Sequence, residues 1–419
     1  MIVVVGLGYV GLPLAVALAE HFTTIGFDID TSRIEELTNG HDRTCELPSE
    51  RILQSSLRLT SDVAAANGAN IYIITVPTPV DADNKPDLRP VMAASRTIAG
   101  MIDPEKLAIV VYESTVYPGV TEEVCGPIIE AEGGLRRGEN FFLGYSPERI
   151  NPGDREHTVD RIVKVVAGEN ETVTEELARV YSRVTSAGVF RAVSIKTAEA
   201  AKVIENAQRD INIAFMNEVA RIFHKLGLSV WDVLEAARTK WNFLKFEPGL
   251  VGGHCIGVDP YYLSHLAQMI GHEPKVILAG RETNDSMGSW VAAEMDGGLG
   301  GKPSRILVLG ITFKENVPDV RNSKVIDIVR ALRERGHDVA VHDPLADPTE
   351  TMAEYGIALS ADALEQSYDA VLGAVAHDEY RALGLSELDR LLANGGLLAD
   401  LKGIWRHTEV SASTTRWNL

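Results

Sequence analysis

Residues 1–30 read MIVVVGLGYVGLPLAVALAEHFTTIGFDID. The apolar run Ile2–Val5 predicts a short buried strand, and Gly6-Leu7-Gly8-Tyr9-Val10-Gly11 follows at once. Leu12–His21 then predicts a helix, and Thr23–Asp28 a second strand. A GxGxxG between a strand and a helix has a mechanical reading. Gly6 permits the tight turn, Gly8 lets a pyrophosphate reach the backbone, and Gly11 lets the helix lie on the strand, with Tyr9 and Val10 filling the loop. The helix start offers free N–H groups and the positive end of a dipole. Asp28 ends the second strand 17 residues after Gly11. A carboxylate there accepts hydrogen bonds from both ribose hydroxyls and repels a 2′-phosphate, so the expected cofactor is NAD rather than NADP. Arg33 lies about one helical turn further on and is expected to stack on adenine.

Working outward, Ile71–Val76, Leu107–Glu113, Phe141–Tyr145 and Ile162–Ala167 predict further buried strands. Short apolar strands separated by helices imply a parallel sheet covered on both faces, and residues 1–193 form this domain. In such a sheet the ligand crevice lies at the carboxyl ends of the strands. Three loops end strands there: Val76-Pro77-Thr78-Pro79, Glu113-Ser114-Thr115 and Ser146-Pro147-Glu148-Arg149. Their side chains are expected on the nicotinamide side.

From Lys196 to Leu226 apolar residues recur at helical spacing without Pro or Gly, which predicts one helix of about 30 residues. Lys202 and Asn206, four apart, share a face of it. A lysine there can move a proton or stabilise an oxyanion, and the amide can donate to the same oxygen. Residues 194–295 form a central helical region. The glycine-rich run 296–302 predicts a hinge, and residues 296–419 return to alternating strand and helix. The first strand of this part, Arg305–Leu309, has no GxGxxG after it, so it need not bind a dinucleotide. Lys314 and Arg321 follow that strand and are candidate phosphate or cofactor contacts. The expected fold is therefore α/β, with two Rossmann-like doubly wound domains joined by a long central helix, which either spaces the domains or belongs to a helical dimerisation region.

Composition narrows the function. The chain has 419 residues and a net charge of −19, which disfavours nucleic acid and anionic membrane surfaces as partners. Residues 1–19 carry no charge but lack a basic leader, and Gly6, Gly8, Gly11 and Pro13 crowd what a spanning helix would leave unbroken. No segment reaches the roughly 20 apolar residues of a membrane span. The three cysteines, Cys45, Cys125 and Cys255, show no metal-ligand spacing, so neither a disulfide scaffold nor a metal site is expected, and the compartment is a reducing cytosol. Cys255 differs from the other two. It sits in Gly252-Gly253-His254-Cys255-Ile256-Gly257-Val258-Asp259-Pro260, flanked by glycine and four residues before a carboxylate, a setting suited to a nucleophile. His254 reads as structural.

These motifs resemble the bacterial UDP-sugar 6-dehydrogenases, the UDP-glucose and UDP-N-acetylhexosamine dehydrogenase family. The resemblance runs nearly end to end: GLGYVGLP, the acid of FDID, VPTP, EST, SPER, the KxxxN helix, GGHCIGVDPYYL and FK…DVR. It implies two successive NAD-dependent oxidations at C6, from alcohol to acid, and a homodimer built on the central helices. By the resemblance Cys255 traps the C6 aldehyde as a thiohemiacetal that becomes a thioester. Lys202, Asn206 and Asp259 match proton-transfer and oxyanion positions, and Glu148 and Thr115 match positions tied to hydrolysis and water placement. Asp28, Arg33 and Arg321 match NAD contacts, and Phe246, Gly252 and Lys314 match the UDP-sugar pocket.

Glucose-type members carry a second acid after the one matching Glu148, where this chain has Pro152 in Ser146–Asp154, SPERINPGD. That run, with FEPGLVGGHC, resembles the branch acting on UDP-N-acetylglucosamine or UDP-N-acetylgalactosamine for capsule or O-antigen polysaccharide, the Vi-antigen type. Gly257 stands where many members have Pro. UDP-glucose and UDP-N-acetylmannosamine are the alternative substrates. A two-electron 3-hydroxyacid dehydrogenase is a distant rival that would need neither Cys255 nor a second α/β domain.

Overall fold

The computed structural model describes residues 1–81, 83–149, 160–253 and 256–419. Eight strands form the first sheet: β1 (Ile2–Val5), β2 (Thr24–Phe27), β3 (Arg58–Thr60), β4 (Ile71–Ile74), β5 (Ala108–Tyr112), β6 (Phe141–Tyr145), β7 (Lys164–Gly168) and β8 (Val189–Arg191). Their spatial order is β3-β2-β1-β4-β5-β6-β7-β8. Every pairing is parallel except β6 with β7, which run antiparallel through Tyr145 and Ala167. The central strands of the sheet are buried on both faces, and the two-residue period shows why they read as unbroken apolar runs. Val3, Val5, Tyr72 and Ile74 enter one core cluster, and Ile2, Val4, Ile71 and Ile73 enter another. Strand order reverses between β1 and β4, so the loops after them open the crevice typical of doubly wound sheets.

Five more strands form a second, wholly parallel sheet: β9 (Arg305–Leu309), β10 (Asp338–His342), β11 (Tyr368–Gly373), β12 (Leu392–Asp400) and β13 (Thr415–Asn418). Their order is β10-β9-β11-β12-β13, which reverses between β9 and β11. Alternation again splits the residues, with Ile306 and Val308 on one face and Leu307 and Leu309 on the other. Both sheets are Rossmann-like, as expected from sequence.

The long helix runs from Ile195 to Lys225. Contacts divide the chain into two compact units, residues 1–206 with 261–273, and residues 207–260 with 274–419. The long helix thus contributes its first part to one unit and the rest to the other. The run 296–302, read as a hinge, is helical as far as Gly298, because the helix Met287–Gly298 continues through its first glycines. Gly300 and Gly301, both at positive φ, end the turn beyond it. Among the described residues no helix is long and apolar enough to cross a membrane, and no group of three or more His, Cys, Asp or Glu stands ready to hold a metal.

Candidate active site

The glycine loop between β1 and the first helix (Gly11–Ala19) has a physical reason at each glycine. Gly6 has φ of 92°, a conformation that side-chain-bearing residues rarely adopt. A Cβ on Gly11 would fall 1.8 Å from the Gly6 carbonyl oxygen and 2.4 Å from Thr75 Oγ1, so no larger residue fits. A Cβ on Gly8 would meet nothing within 4 Å, which leaves room for a ligand against the backbone. The helix begins without a side-chain cap and without an acid in its first turn, so its N-terminal N–H groups face the loop. Tyr9 is half-buried and Val10 buried. Thr75 Oγ1 bonds the carbonyls of Val5 and Gly6 at 3.0 and 2.7 Å, tying the end of β4 to the loop. These features fit a bound dinucleotide: an uncapped helix start and open space at Gly8 for the pyrophosphate and, beside them, a carboxylate for the ribose.

That carboxylate is Asp28. Its Oδ2 accepts the Leu7 N–H at 2.8 Å and its Oδ1 accepts the Asp30 N–H at 2.9 Å. Arg33 takes a different place from the one its spacing suggested. It is buried, its Nε donates to the Leu7 carbonyl at 2.9 Å, and its Nη2 pairs with Asp42 at 2.7 Å. A helix running back over the loop turns the guanidinium into the protein, where it braces the glycine turn from behind instead of lying free for adenine.

At the rim, Pro77 is exposed and Thr78 half-buried. Tyr262 donates to the Pro79 carbonyl at 3.0 Å and fixes that loop. Ser114 Oγ bonds the Val76 carbonyl at 2.6 Å, drawing the ends of β4 and β5 together beside the half-buried Thr115. Glu148, Lys202 and Asn206 are all buried. Glu148 Oε1 accepts the Arg149 N–H at 2.6 Å, and the Arg149 side chain pairs with Glu205 of the long helix at 3.2 Å.

Beneath Glu148 lies a cluster that the sequence reading passed over. Lys164, on β7, is fully enclosed. Its Nζ sits 2.8 Å from Glu113 Oε2 and 3.9 Å from Glu148 Oε2. The Tyr181 hydroxyl donates to the other oxygen of Glu113, and the ammonium lies over the Tyr181 ring, 5.2 Å from its centre. Burial opposes the charge on Lys164, but the carboxylates of Glu113 and Glu148 outweigh it and hold the ammonium above the usual lysine range. Burial, helped by Glu113, keeps the Tyr181 phenol protonated. One signal was present in the sequence, a lysine inside an otherwise apolar strand.

In the second unit, Asn217 of the long helix holds Gly249 from both sides: its Oδ1 accepts the Gly249 N–H at 2.8 Å and its Nδ2 donates to the carbonyl at 3.0 Å. The chain then enters the cysteine loop. A Cβ on Gly252 would fall 2.5 Å from the Asn322 carbonyl, and Gly253, at φ 79°, lies against Phe313. Asn322 clamps Gly253 through N–H and carbonyl alike, at 3.1 and 2.7 Å. Packing within the chain therefore demands these glycines. Cys255, with His254, lies outside the described residues, as do Asn151, Pro152 and Asp154. Asp259 is buried at the start of the helix Asp259–Met269, and Phe246 packs on the core of this unit. Arg321 forms a two-pronged pair with Asp319 at 2.7 and 2.9 Å. Gly252, Phe313 and Lys314 line a recess with Lys324 and Lys402. Neither Lys324 nor Lys402 belongs to a motif legible in one sequence; the fold brings them to Lys314.

A glycine loop with a ribose-ready carboxylate, buried acid and lysine groups at the strand ends, and a second α/β domain with a lysine-lined recess define a dehydrogenase of the nucleotide-sugar class. Comparison with known proteins gives the family. Its NAD-binding domain matches residues 1–185, its central domain 196–286 and its UDP-binding domain 307–407. The chain belongs to the UDP-glucose/GDP-mannose dehydrogenase family and is an NAD-dependent oxidoreductase. It is 51% identical to Protein CapL of Staphylococcus aureus, covering 100% of this chain and 99% of that protein. It is 49% identical to the UDP-N-acetyl-D-glucosamine 6-dehydrogenase of Pseudomonas aeruginosa, over 96% of each. The solved structure of a UDP-D-ManNAc dehydrogenase from Pyrococcus horikoshii matches with a TM-score of 0.88 at 28% identity, over 99% of each chain.

Proposed function

We propose that this enzyme oxidises C6 of a UDP-N-acetylhexosamine to the acid, with UDP-N-acetylglucosamine or its C4 epimer as substrate. The observation that carries the substrate is the 49% identity, over 96% of both chains, to a relative named for UDP-N-acetyl-D-glucosamine, against 28% to the structure named for the mannosamine isomer. Pro152 supports the same reading, since it stands where glucose-type members place an acid. The product would serve surface polysaccharide, as the resemblance of SPERINPGD and FEPGLVGGHC implies.

NAD, when bound, supplies the hydride acceptor for both oxidations. Gly8 and the helix start would hold its pyrophosphate, Asp28 its ribose, and Pro77, Thr78 and Thr115 the nicotinamide side. Lys314, Lys324 and Lys402 suit a diphosphate, and Phe246 and Gly252 complete the sugar-nucleotide pocket; Arg321 is assigned to the cofactor. Lys202 and Asn206 would hold the C6 oxygen and move its proton, and Asp259 takes the proton-transfer role that the resemblance gives it. The Cys255 sulfur bonds to the aldehyde carbon as the thiol proton passes to the C6 oxygen. The second oxidation removes a hydride from that carbon and the proton from that oxygen, leaving a thioester. Water oxygen then bonds to that carbon as the C–S bond breaks. One water proton passes through Glu148 to solvent, the other returns to the thiol, and the acid leaves as a carboxylate. The compartment in this reading is a reducing cytosol, on the count and scatter of the cysteines.

A homodimer through the long helix is part of this reading. Ile204, Phe215 and Ile222 are all about half exposed and recur along one helical face. Light scattering should give twice the one-chain mass of 45.5 kDa; the one-chain mass would overturn it. The function itself is tested by NADH formation from UDP-N-acetylglucosamine, its galacto and manno isomers, and UDP-glucose. The expected result is two NADH per acid and the highest kcat/KM for a 2-acetamido gluco or galacto sugar. A higher value for UDP-glucose would reject the substrate, and one NADH per turnover would reject the reaction.

A further inference from the structure

We propose that Lys164 is a positioning residue for thioester hydrolysis: anchored on Glu113, it holds the Glu148 carboxylate in the orientation that receives the proton of water. The proposal rests on the reading of Glu148 given above, and its experiment separates the two.

An ion pair enclosed in a protein core is a poor source of stability. The desolvation of both charges offsets most of their attraction, and apolar residues of similar volume often do as well. Lys164 and Glu113 are both fully enclosed, so their presence needs another reason. Geometry supplies one. Each oxygen of Glu113 accepts one donor, the Tyr181 hydroxyl on one and Lys164 on the other. Tyr181 also confines the ammonium from its ring face, at 5.2 Å. A lysine ammonium carries three donors. One is spent on Glu113, and the next charged partner is Glu148, with Oε2 at 3.9 Å. The other oxygen, Oε1, is fixed by the Arg149 N–H. Oε1 is thus held by backbone, while Oε2 feels, through charge alone and beyond hydrogen-bond distance, a cation that cannot swing away. Lys202 is the other lysine whose charge Lys164 feels. The cluster therefore sets two carboxylates against two ammonium groups, and of the two lysines Lys164 is the one fully sealed from solvent.

The expected effect is specific to one step. Forming the thioester needs Lys202, Asn206 and Cys255; releasing it needs an aligned water and Glu148. Lys164→Met keeps the length of the side chain and removes the charge. It should lower kcat about tenfold to a hundredfold, leave KM for NAD and for the UDP-sugar within about twofold, and release two NADH per chain in a burst. During turnover, intact-protein mass spectrometry should find the chain carrying the acyl group. Should Lys164→Met not fold, Glu113→Gln with Lys164→Met removes both members of the pair and should accumulate the same adduct. A folded variant with no accumulated adduct, or with the loss in KM instead of kcat, overturns the proposal. Glu148→Gln is run beside them. If it accumulates no adduct, the reading of Glu148 fails, whatever Lys164→Met does. If it accumulates adduct and the Lys164 variants do not, the proposal alone fails.

Discussion

Nε2 of His377 donates to Asp343 Oδ2 at 3.2 Å, and both side chains are closed off from solvent. The donor is assigned by the opposite ring nitrogen: Nδ1 accepts the Asn316 N–H at 2.9 Å, so the proton is on Nε2. Asp343 Oδ2 also accepts the N–H groups of Ile311 and Thr312, and Oδ1 those of Leu345 and Ala346. Asp343 follows β10 as Asp28 follows β2, and each grips the loop after the first strand of its sheet. Asp28 remains partly open, whereas every lone pair of Asp343 faces a protein donor. The second sheet thus has the acid of a dinucleotide site but has turned it inward, to hold the loop that carries Lys314.

Asp343→Asn should therefore destabilise the enzyme in a pH-dependent way. Burial works against its charge, but His377 and the backbone N–H groups outweigh burial and bring its pKa down from 3.8 to about 2. A depressed carboxylate contributes stability above its unfolded pKa and loses it as pH falls through the folded one. At neutral pH the contribution is about 2 kcal/mol. Urea unfolding should show that deficit at pH 7 and a smaller one at pH 3; an equal deficit at both would refute the linkage.

Asp28→Ala should raise KM for NAD about tenfold and narrow the preference for NAD over NADP. The loss has two parts, the ribose contact and the hold on Leu7. Asp28→Asn, which keeps the size without the charge, should recover part of the NAD affinity and narrow the preference all the same. Steady-state kinetics with both cofactors decide; equal use of NADP by the unaltered enzyme would remove the role given to Asp28.

Gly11→Ala places a methyl group 1.8 Å from the Gly6 carbonyl. Overpacking of this kind costs about 1–3 kcal/mol, and here it also shifts the loop proposed to receive the pyrophosphate. A lower Tm and loss of NAD binding by calorimetry should appear together. Gly8→Ala meets open space in the free protein and should keep its Tm while weakening NAD.

Cys255→Ser tests the covalent route. A hydroxyl at its ordinary pKa is a much weaker nucleophile than a thiolate, and its ester hydrolyses more slowly than a thioester. The variant should bind NAD and the UDP-sugar normally and lose about two to four orders of magnitude in acid formation. Mass spectrometry should find aldehyde or a slow ester. Near-normal acid formation with two NADH would mean that the route runs through a free aldehyde hydrate.

The fold was legible because its signals are local. Gly6, Gly8 and Gly11 lie within six residues, and the apolar runs of β1, β4 and β9 each reflect burial on two faces. What escaped was set by distance along the chain. Lys164 and Glu113 are 51 residues apart, and His377 is 61 from Asn316, so no window of sequence joins them. Arg33 shows a subtler limit: spacing placed it near the loop, but only the helix path decides that its guanidinium enters from behind, against Leu7 and Asp42. The last strand, Thr415–Asn418, escaped because Trp417 is its one buried apolar residue.

The sealed Lys164–Glu113 pair also constrains how such a protein can diverge. Loss of either residue alone strands an uncompensated charge in the core, a defect of roughly 3–5 kcal/mol, a large share of the 5–15 kcal/mol by which a typical domain stays folded. Lineages can therefore exchange the pair only together, since each single step crosses a poorly folded ancestor. Across descendants of this chain the two positions should be inherited as one unit.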